Sequence, residues 1–120
     1  MTGPDFRARV NRHCAALPGA EVSDPWGGGH DAWKVGGKMF ACIGARLPGV
    51  SVKCPDVETA ALLIETGIAR RAPYFHASWV NLPDTTGDAE LAHRLDTAYR
   101  IIRDGLPRKI RAGLPDLPPR

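Results

Sequence analysis

The side chains of this chain that are best suited to binding a ligand are cationic, and they occur near its centre and near its C-terminus. Ammonium and guanidinium groups contact the phosphates of nucleic acids without reading the base sequence, and the resulting affinity falls steeply with salt. The candidate phosphate-binding residues are Lys34, Lys38, Lys53, Arg70, Arg71, Arg108, Lys109 and Arg111. The same side chains could also serve only to keep an exposed sheet soluble.

A second candidate group consists of Tyr74, His76 and Trp79, which lie close together in the sequence. Aromatic rings can stack on the bases of a single strand, a contact that contributes roughly 1–3 kcal/mol per base. With Trp33, the histidine and Trp79 could instead line a small-ligand pocket. Aromatic residues of strands also pack within their own domain, and the sequence leaves these alternatives open.

Nucleophilic and metal-binding residues show no spacing that indicates a catalytic or metal site. The histidines and cysteines form neither a Cys-x-x-Cys nor a His-x-x-x-His pair, so we expect no bound metal. Cys54, Asp56 and His76 could assemble in space, but nothing local favours it. The glycines at 27–29 and 36–37 are followed by neither Lys-Ser/Thr nor a helix, unlike those of a phosphate-binding loop. We therefore expect no enzyme and no cofactor.

The composition is that of a soluble protein with one hydrophobic core. The chain has 120 residues, of which 43% are hydrophobic, and a net charge of +3. The basic excess lies at the C-terminal end, since residues 100–120 hold six basic and two acidic side chains. Scattered cysteines, no secretion signal and no membrane-spanning segment predict a cytoplasmic protein. We expect one domain over residues 1–114 and a proline-rich tail over 115–120.

Residues 31–42 predict a β-hairpin, because two β-prone segments flank the pair Gly36-Gly37, which can adopt the positive φ angles of a tight turn. Such a turn pairs Val35 with Lys38, Lys34 with Met39, Trp33 with Phe40 and Asp31 with Cys42. With a third strand over residues 50–54, one face would hold Trp33, Val35, Phe40, Cys42, Val50, Val52 and Cys54. The opposite, free face would hold Lys34, Met39, Ala41, Ile43, Ser51 and Lys53.

Helical periodicity predicts three amphipathic helices. The first starts at Pro4 and stops at Pro18-Gly19, and the third spans residues 88–104. The second follows Asp56, which is placed to cap it, and ends at Gly67. Its predicted apolar stripe comprises Val57, Ala60, Ala61 and Ile64.

Two further strands, at residues 74–75 and 78–82, are expected before the third helix, and a short edge strand can form at 21–24. A last helical turn is expected over 107–111. Without the edge strand and this turn, the order is α-β(3)-α-β(2)-α. Because each helix is apolar on one side only, we expect a two-layer α+β fold, a single antiparallel sheet with helices on one face.

Four segments occur together in an order that is typical of one protein family. They are residues 33–41, residues 50–55, residues 74–82, and the helix with Tyr99 followed by Leu106-Pro107. By these segments the chain resembles the MmcQ/YjbR family from about Pro18 to Leu114. The resemblance implies a fold similar to secretion chaperones and CyaY-like frataxin domains. It also implies DNA binding, the general description of the family, and no catalytic residue.

Two main hypotheses of function follow. In the first, the chain is a small non-enzymatic DNA-binding protein that contacts the phosphate backbone of double-stranded DNA through a basic sheet face. In the second, the free sheet face binds a peptide, a protein partner or a second copy of the chain, because Met39, Ala41 and Ile43 lie among its lysines. We expect a monomer or a weak dimer, and no contact with a membrane.

Overall fold

A six-stranded antiparallel sheet forms one layer of the fold and helices form the other. The computed structural model describes residues 4–117. Its elements are α1 (Pro4–Ala15), β1 (Ala20–Ser23), β2 (Asp31–Val35), β3 (Lys38–Ile43), β4 (Val50–Lys53), α2 (Val57–Glu65), β5 (Arg70–Arg71), β6 (Trp79–Leu82), α3 (Asp88–Asp104) and α4 (Arg108–Ala112). The strand order is β1-β2-β3-β4-β6-β5. The predicted α+β architecture is confirmed, and β1 is the expected edge strand.

The helices cover one side of the sheet, which we call the inner face. α1 buries Phe6, Val10 and Cys14, and α3 buries an apolar stripe against β2, β3 and β4. These residues share one core cluster with the strand residues Trp33, Val35, Val50, Val52, Val80 and Leu82. No helix within residues 4–117 has the length and apolar character that a membrane span requires.

One extra residue in β3 shifts the register of the hairpin. The two pairs nearest the turn form as predicted, but Trp33 lies opposite Ala41 rather than opposite Phe40. The register shifts between Trp33 and Lys34, so Phe40 is the extra residue of a β-bulge. Its ring packs edge to face on Tyr99 of α3, with centroids 5.5 Å apart. The bulge therefore lets Phe40 and its neighbour both pack on the inner face.

The bulge reverses the predicted orientation of three residues. Ala41 and Ile43 lie in the core on the inner face, whereas Cys42 lies on the opposite side of the sheet, the outer face. The prediction for these three residues is wrong because it assumed an unbroken alternation along β3. The predicted outward placement is confirmed for Lys34, Met39, Ser51 and Lys53.

α2 buries only one residue of the predicted stripe. Ala60 is buried as predicted, together with Leu63, whereas Val57, Ala61 and Ile64 are exposed. The helix packs against β5 and β6 at the margin of the sheet. A helix in this position buries only a narrow stripe. Because α2 has apolar residues on more than one side, their periodicity does not show which side packs on the sheet.

The N-terminal cap of α2 forms as predicted. The side chain of Asp56 accepts a hydrogen bond from the backbone N–H of Thr59 at 2.7 Å. Hydrogen bonds from the side chain and backbone of Thr59 hold the pKa of the Asp56 carboxyl below its ordinary value. The cap thus fixes the start of the helix soon after β4.

The segment between α2 and β6 differs from the prediction. Tyr74 and Phe75 form no strand, and the edge strand β5 forms earlier, at Arg70–Arg71. Pro73 has no N–H to donate to a strand ladder, and Tyr74 adopts a φ of +71°. The chain therefore turns at this point before it enters β6.

We expect Gly49→Ala to destabilise the fold more than Gly67→Ala. Both glycines have a positive φ, +87° and +80° respectively, so alanine strains the backbone similarly at each. That strain costs about 1–2 kcal/mol. An added Cβ at Gly49 would overlap the carbonyl oxygen of Leu82, whereas nothing lies within 4 Å of one at Gly67. Urea unfolding should show a further loss of at least about 2 kcal/mol for Gly49→Ala, and equal losses would contradict this close approach.

Candidate functional site on the outer face of the sheet

The outer face has a buried centre. One row of paired residues crosses all six strands, in the order Ser23, Ala32, Cys42, Ser51, Asn81 and Arg70. The four central side chains are at most 4% exposed. Asn81 donates its amide to Ser51 Oγ at 3.3 Å and accepts a hydrogen bond from Arg70 at 2.8 Å. A ligand on this face would therefore contact the longer side chains beside the row.

Two of the candidate lysines lie beside this row. Lys34 of β2 pairs with Glu21 of β1 and Met39 of β3, and Lys53 of β4 pairs with Trp79 of β6. Both lysine side chains are partly buried. Because one strand separates β2 from β4, strand spacing places the two lysines about 10 Å apart. The outer face thus carries two lysines whose backbone positions are two strands apart, with Glu21 paired opposite Lys34.

Lys53 is held in place by the segment before β6. Its Nζ donates a hydrogen bond to Ser78 Oγ, and this oxygen lies 2.9 Å from His76 Nδ1. The backbone N–H of Ser78 also donates to His76 Nδ1, at 3.1 Å. Because Nδ1 accepts from an N–H, it is the unprotonated ring nitrogen, and its one lone pair is shared between the N–H and the hydroxyl of Ser78, whose oxygen accepts from Lys53. The network fixes the direction of the Lys53 ammonium.

Sequence reasoning named Lys53 and His76 separately and missed Ser78, which links them. Ser78 is buried, and its Oγ is the common partner of both side chains. The His-x-Ser spacing was the available signal, because a side chain can bond the backbone N–H two residues ahead. The spacing does not reveal the contact between Ser78 and Lys53, which depends on the pairing of β4 with β6.

The aromatic candidates differ in their surroundings. Trp79 is partly buried and stacks on Phe75, with ring centroids 4.5 Å apart. Tyr74 is fully exposed in addition to having a positive φ. A bulky residue seldom adopts this conformation, so the turn on both sides must hold it there. Tyr74 is thus far more exposed than Trp79.

The predicted pocket between Trp33, His76 and Trp79 does not form. Trp33 lies on the inner face, where its Nε1 donates to Asn11 of α1 at 2.9 Å. Trp79 lies on the outer face, opposite Lys53. The sheet itself separates the two indole rings.

The hairpin turn carries the third lysine and contacts the last helix. Lys38 is exposed beside Gly36-Gly37, both of which have positive φ. Leu106 lies directly against Gly36, and a Cβ added at Gly36 would also be 3.1 Å from Ile110 Cγ2. α4 therefore packs beside the turn. Its exposed cations, at the same end of the molecule as Lys38, are Arg108, Lys109 and Arg111.

Arg70 and Arg71 lie at the far edge of the sheet, in β5. Strands spaced about 4.8 Å apart put β5 roughly 14 Å from β3. Arg70 Nη2 also donates to Asn81 Oδ1 at 2.8 Å and to the carbonyl of Pro48 at 3.3 Å. The structure thus brings Lys34, Lys38 and the α4 cations to the hairpin end and separates the β5 arginines from them.

The three cysteines are buried free thiols. Burial raises the pKa of Cys42 to about 11, and it raises the pKa of Cys14 and Cys54 as well. The thiolate is the reactive form, so these thiols are poor nucleophiles at neutral pH. Among residues 4–117, no three histidine, cysteine or acidic side chains come together as metal ligands.

A groove of about 400 Å³ lies between α1 and α3, lined in part by Arg9, His13 and Asp88. Arg9 pairs with Asp88 at 2.6 Å, and His13 lies 2.7 Å from Asp96. These contacts join the two helices across the groove. Its polar side chains thus serve the packing of α1 on α3.

Comparison with known proteins places this geometry in a family. A family model described as YjbR matches residues 15–101, which hold all six strands and most of α3. The chain belongs to the YjbR family. The crystal structure of Deinococcus radiodurans protein DR2400, with a domain of the family DUF419, is similar with a TM-score of 0.73 and 19% sequence identity. The match covers 86% of this chain and 83% of that one and shows a shared fold. No curated protein matches the chain.

We expect Ser78→Ala to destabilise this YjbR-family protein by about 1–3 kcal/mol, because it leaves Lys53 without the hydroxyl that accepts its hydrogen bond. Ser78 is 3% exposed, so water cannot readily replace the lost oxygen. Ser23→Ala, at an exposed position of β1, is the matched control and should change stability by less than about 0.5 kcal/mol. Chemical denaturation at pH 7 measures both, and an unchanged Ser78→Ala variant would show that the network contributes nothing.

Proposed function

We propose that this YjbR-family protein is a non-catalytic protein that binds the phosphate backbone of double-stranded DNA at its hairpin end. The observation that carries the proposal is the packing of α4 against the β2–β3 turn. It gathers cations from two distant parts of the sequence at one end of the molecule. The members of this cationic end are Lys34, Lys38, Arg108, Lys109 and Arg111, with Lys53 next to it on the outer face.

The form of this surface favours an extended polyanion over a small anion. The three α4 cations and Lys38 are exposed and protrude from a turn and a helix. Spread cations suit a ligand with regularly repeated charges, since each can meet a separate phosphate and release a counterion. Such contacts carry no sequence information, so we expect little preference for one DNA sequence.

The segment with Tyr74, Phe75 and Trp79 can make a further contact with DNA only where the bases of the DNA are exposed. Tyr74 is free in solvent, while the Phe75–Trp79 stack is partly buried beside Lys53. Rings can stack on the bases of single strands but not on the stacked interior of a duplex. Comparing duplex with single-stranded DNA therefore separates phosphate binding from base stacking.

The alternative of a partner-binding sheet face is weakened by the bulge. Two of the three apolar residues that motivated it, Ala41 and Ile43, belong to the core. The remaining outer face has a buried centre with a polar Asn81–Ser51 contact. We also propose a cytoplasmic location, which the free and buried thiols support.

We expect the double variant Lys34→Gln/Lys38→Gln to weaken binding to a random-sequence DNA duplex. For two lost phosphate contacts, the slope of log affinity against log salt should become shallower by about 1.8. Fluorescence anisotropy titrations between low and moderate salt measure the slope.

The matched control is Arg12→Gln/Arg46→Gln, which removes the same charge from exposed positions on α1 and in the β3–β4 loop. Its salt slope should stay close to that of the unmodified protein. Equal slopes for both double variants would show that net charge alone matters. Undetectable binding at low salt would overturn the proposed function.

A further inference from the structure

Lys53 is an oriented cation without a counter-ion. Its Nζ donates a hydrogen bond to Ser78 Oγ, and it forms no ion pair with any residue in the part of the chain that the structure describes. The next carboxylate along the chain, that of Asp56, accepts the N–H of Thr59 at the start of α2. An ammonium group has three N–H donors. Because Lys53 is only partly buried, its remaining donors are available to an anion from solvent.

His76 adds a second donor near this ammonium. Ser78 Oγ bonds to Lys53 Nζ and lies 2.9 Å from His76 Nδ1, so the two nitrogens are no more than roughly 6 Å apart. Because Nδ1 accepts the backbone N–H of Ser78, the ring proton is on Nε2. His76 is exposed, so this N–H is accessible. A phosphate group has several acceptor oxygens and can take hydrogen bonds from both residues.

Aromatic rings lie next to these donors. Trp79 is directly opposite Lys53 in the β4–β6 pair, a position in which the two Cβ atoms are about 5 Å apart. The ring of Phe75 stacks on that of Trp79, with centroids 4.5 Å apart and an angle of 19° between the planes. Both rings are partly exposed. Hydrogen-bond donors for a phosphate and flat aromatic surfaces thus occur together on this part of the outer face.

Tyr74 extends the aromatic group into solvent. It is the neighbour of Phe75 in the chain, its side chain is fully exposed, and its φ is +71°. Glycine would meet this backbone requirement without strain, and an exposed ring contributes no buried area to the core. Strained residues of this kind cluster at ligand-binding sites. The fold thus holds an aromatic ring where it is free to contact a ligand.

We propose that Lys53, His76 and Tyr74, together with the Phe75–Trp79 stack, form a binding site for single-stranded DNA. A phosphate of the strand binds the Lys53 ammonium and the Nε2–H of His76, and a neighbouring base stacks on Tyr74. Proteins bind single strands by combining cations along the backbone with rings on which the bases stack. In a duplex the bases are stacked on one another, so only a single strand offers a phosphate and the face of a base together.

The site is distinct from the cationic end proposed for duplex DNA. It is built on β4 and on the segment before β6, whereas the cationic end belongs to β2, β3 and α4. Stacking on an aromatic ring is possible for every base, so we expect weak binding with little sequence preference. The inference does not depend on the proposed function, because the two sites can be altered separately.

Fluorescence anisotropy with a labelled oligothymidylate of about twelve nucleotides tests the stacking contact at low salt. The unmodified chain should bind this strand. Tyr74→Ala should weaken binding at least about fivefold, the smallest effect expected for one lost stacking contact. Tyr74→Phe keeps the ring and should bind like the unmodified chain. Trp26→Ala, which removes another exposed ring, is the matched control and should leave the affinity unchanged.

The salt dependence tests the phosphate contact. Lys53→Gln should make the slope of log affinity against log salt shallower by about 0.7, the change for one lost contact with a single strand. Lys53→Arg keeps the charge and should keep the slope. Arg12→Gln removes a positive charge from an exposed position of α1 and should also keep it.

Titrations with a duplex separate this inference from the proposed function. Tyr74→Ala should bind a duplex as tightly as the unmodified chain, whereas Lys34→Gln/Lys38→Gln should lose duplex affinity and still bind the single strand. Undetectable binding of the single strand at low salt overturns the inference. So does a Tyr74→Ala variant that binds it like Trp26→Ala, a Tyr74→Phe variant that binds it as weakly as Tyr74→Ala, or equal salt slopes for Lys53→Gln and Arg12→Gln.

Discussion

The burial of one side chain, Tyr99, holds together parts of the fold that are far apart in the sequence. Its ring packs on Phe40, and its hydroxyl donates to the carbonyl of Pro18. Arg103 donates to that hydroxyl at 2.8 Å and to the carbonyl of Pro115 at 2.7 Å. Buried polar groups must be paired, so this chain of contacts ties α3 to the loop after α1 and to the C-terminal segment.

A β-bulge next to this contact sets the two faces of the sheet. Phe40 would face the helices in an unbroken strand as well, but the extra residue brings Ala41 to the same side, and every residue of β3 beyond Phe40 changes sides. Ala41 and Ile43 therefore complete the core, and the outer face keeps a small and polar centre. What remains for ligands on that face is a border of cations and aromatic rings.

The surface proposed for duplex DNA binding depends on a contact between distant parts of the chain. The hairpin end is cationic because α4 packs beside the turn through Leu106. Lys38 and the exposed cations of α4 thereby lie at one end of the molecule, an arrangement that suits a polyanion.

Local patterns were enough to predict much of the structure. The span of α3, the turn at Gly36-Gly37 and the cap by Asp56 depend on periodicity, on positive φ and on a side chain next to its own backbone. The family resemblance rests on such local segments too and is confirmed by the match over residues 15–101. Of the candidate site, the outward direction of Lys34 and Lys53 follows from the hairpin and strand periods.

The amino-acid sequence by itself determined all four helices and every strand except β5, because each of these depends on neighbours along the chain. Tertiary structure alone decided which way Cys42 faces, which side of α2 is covered and which cations meet at one end. These outcomes depend on what a strand or helix packs against, and the period of its own residues cannot supply that. The bulge at Phe40 shows the difference, since Phe40 and Ala41 both pack on the inner face and the residues of β3 alone do not reveal this.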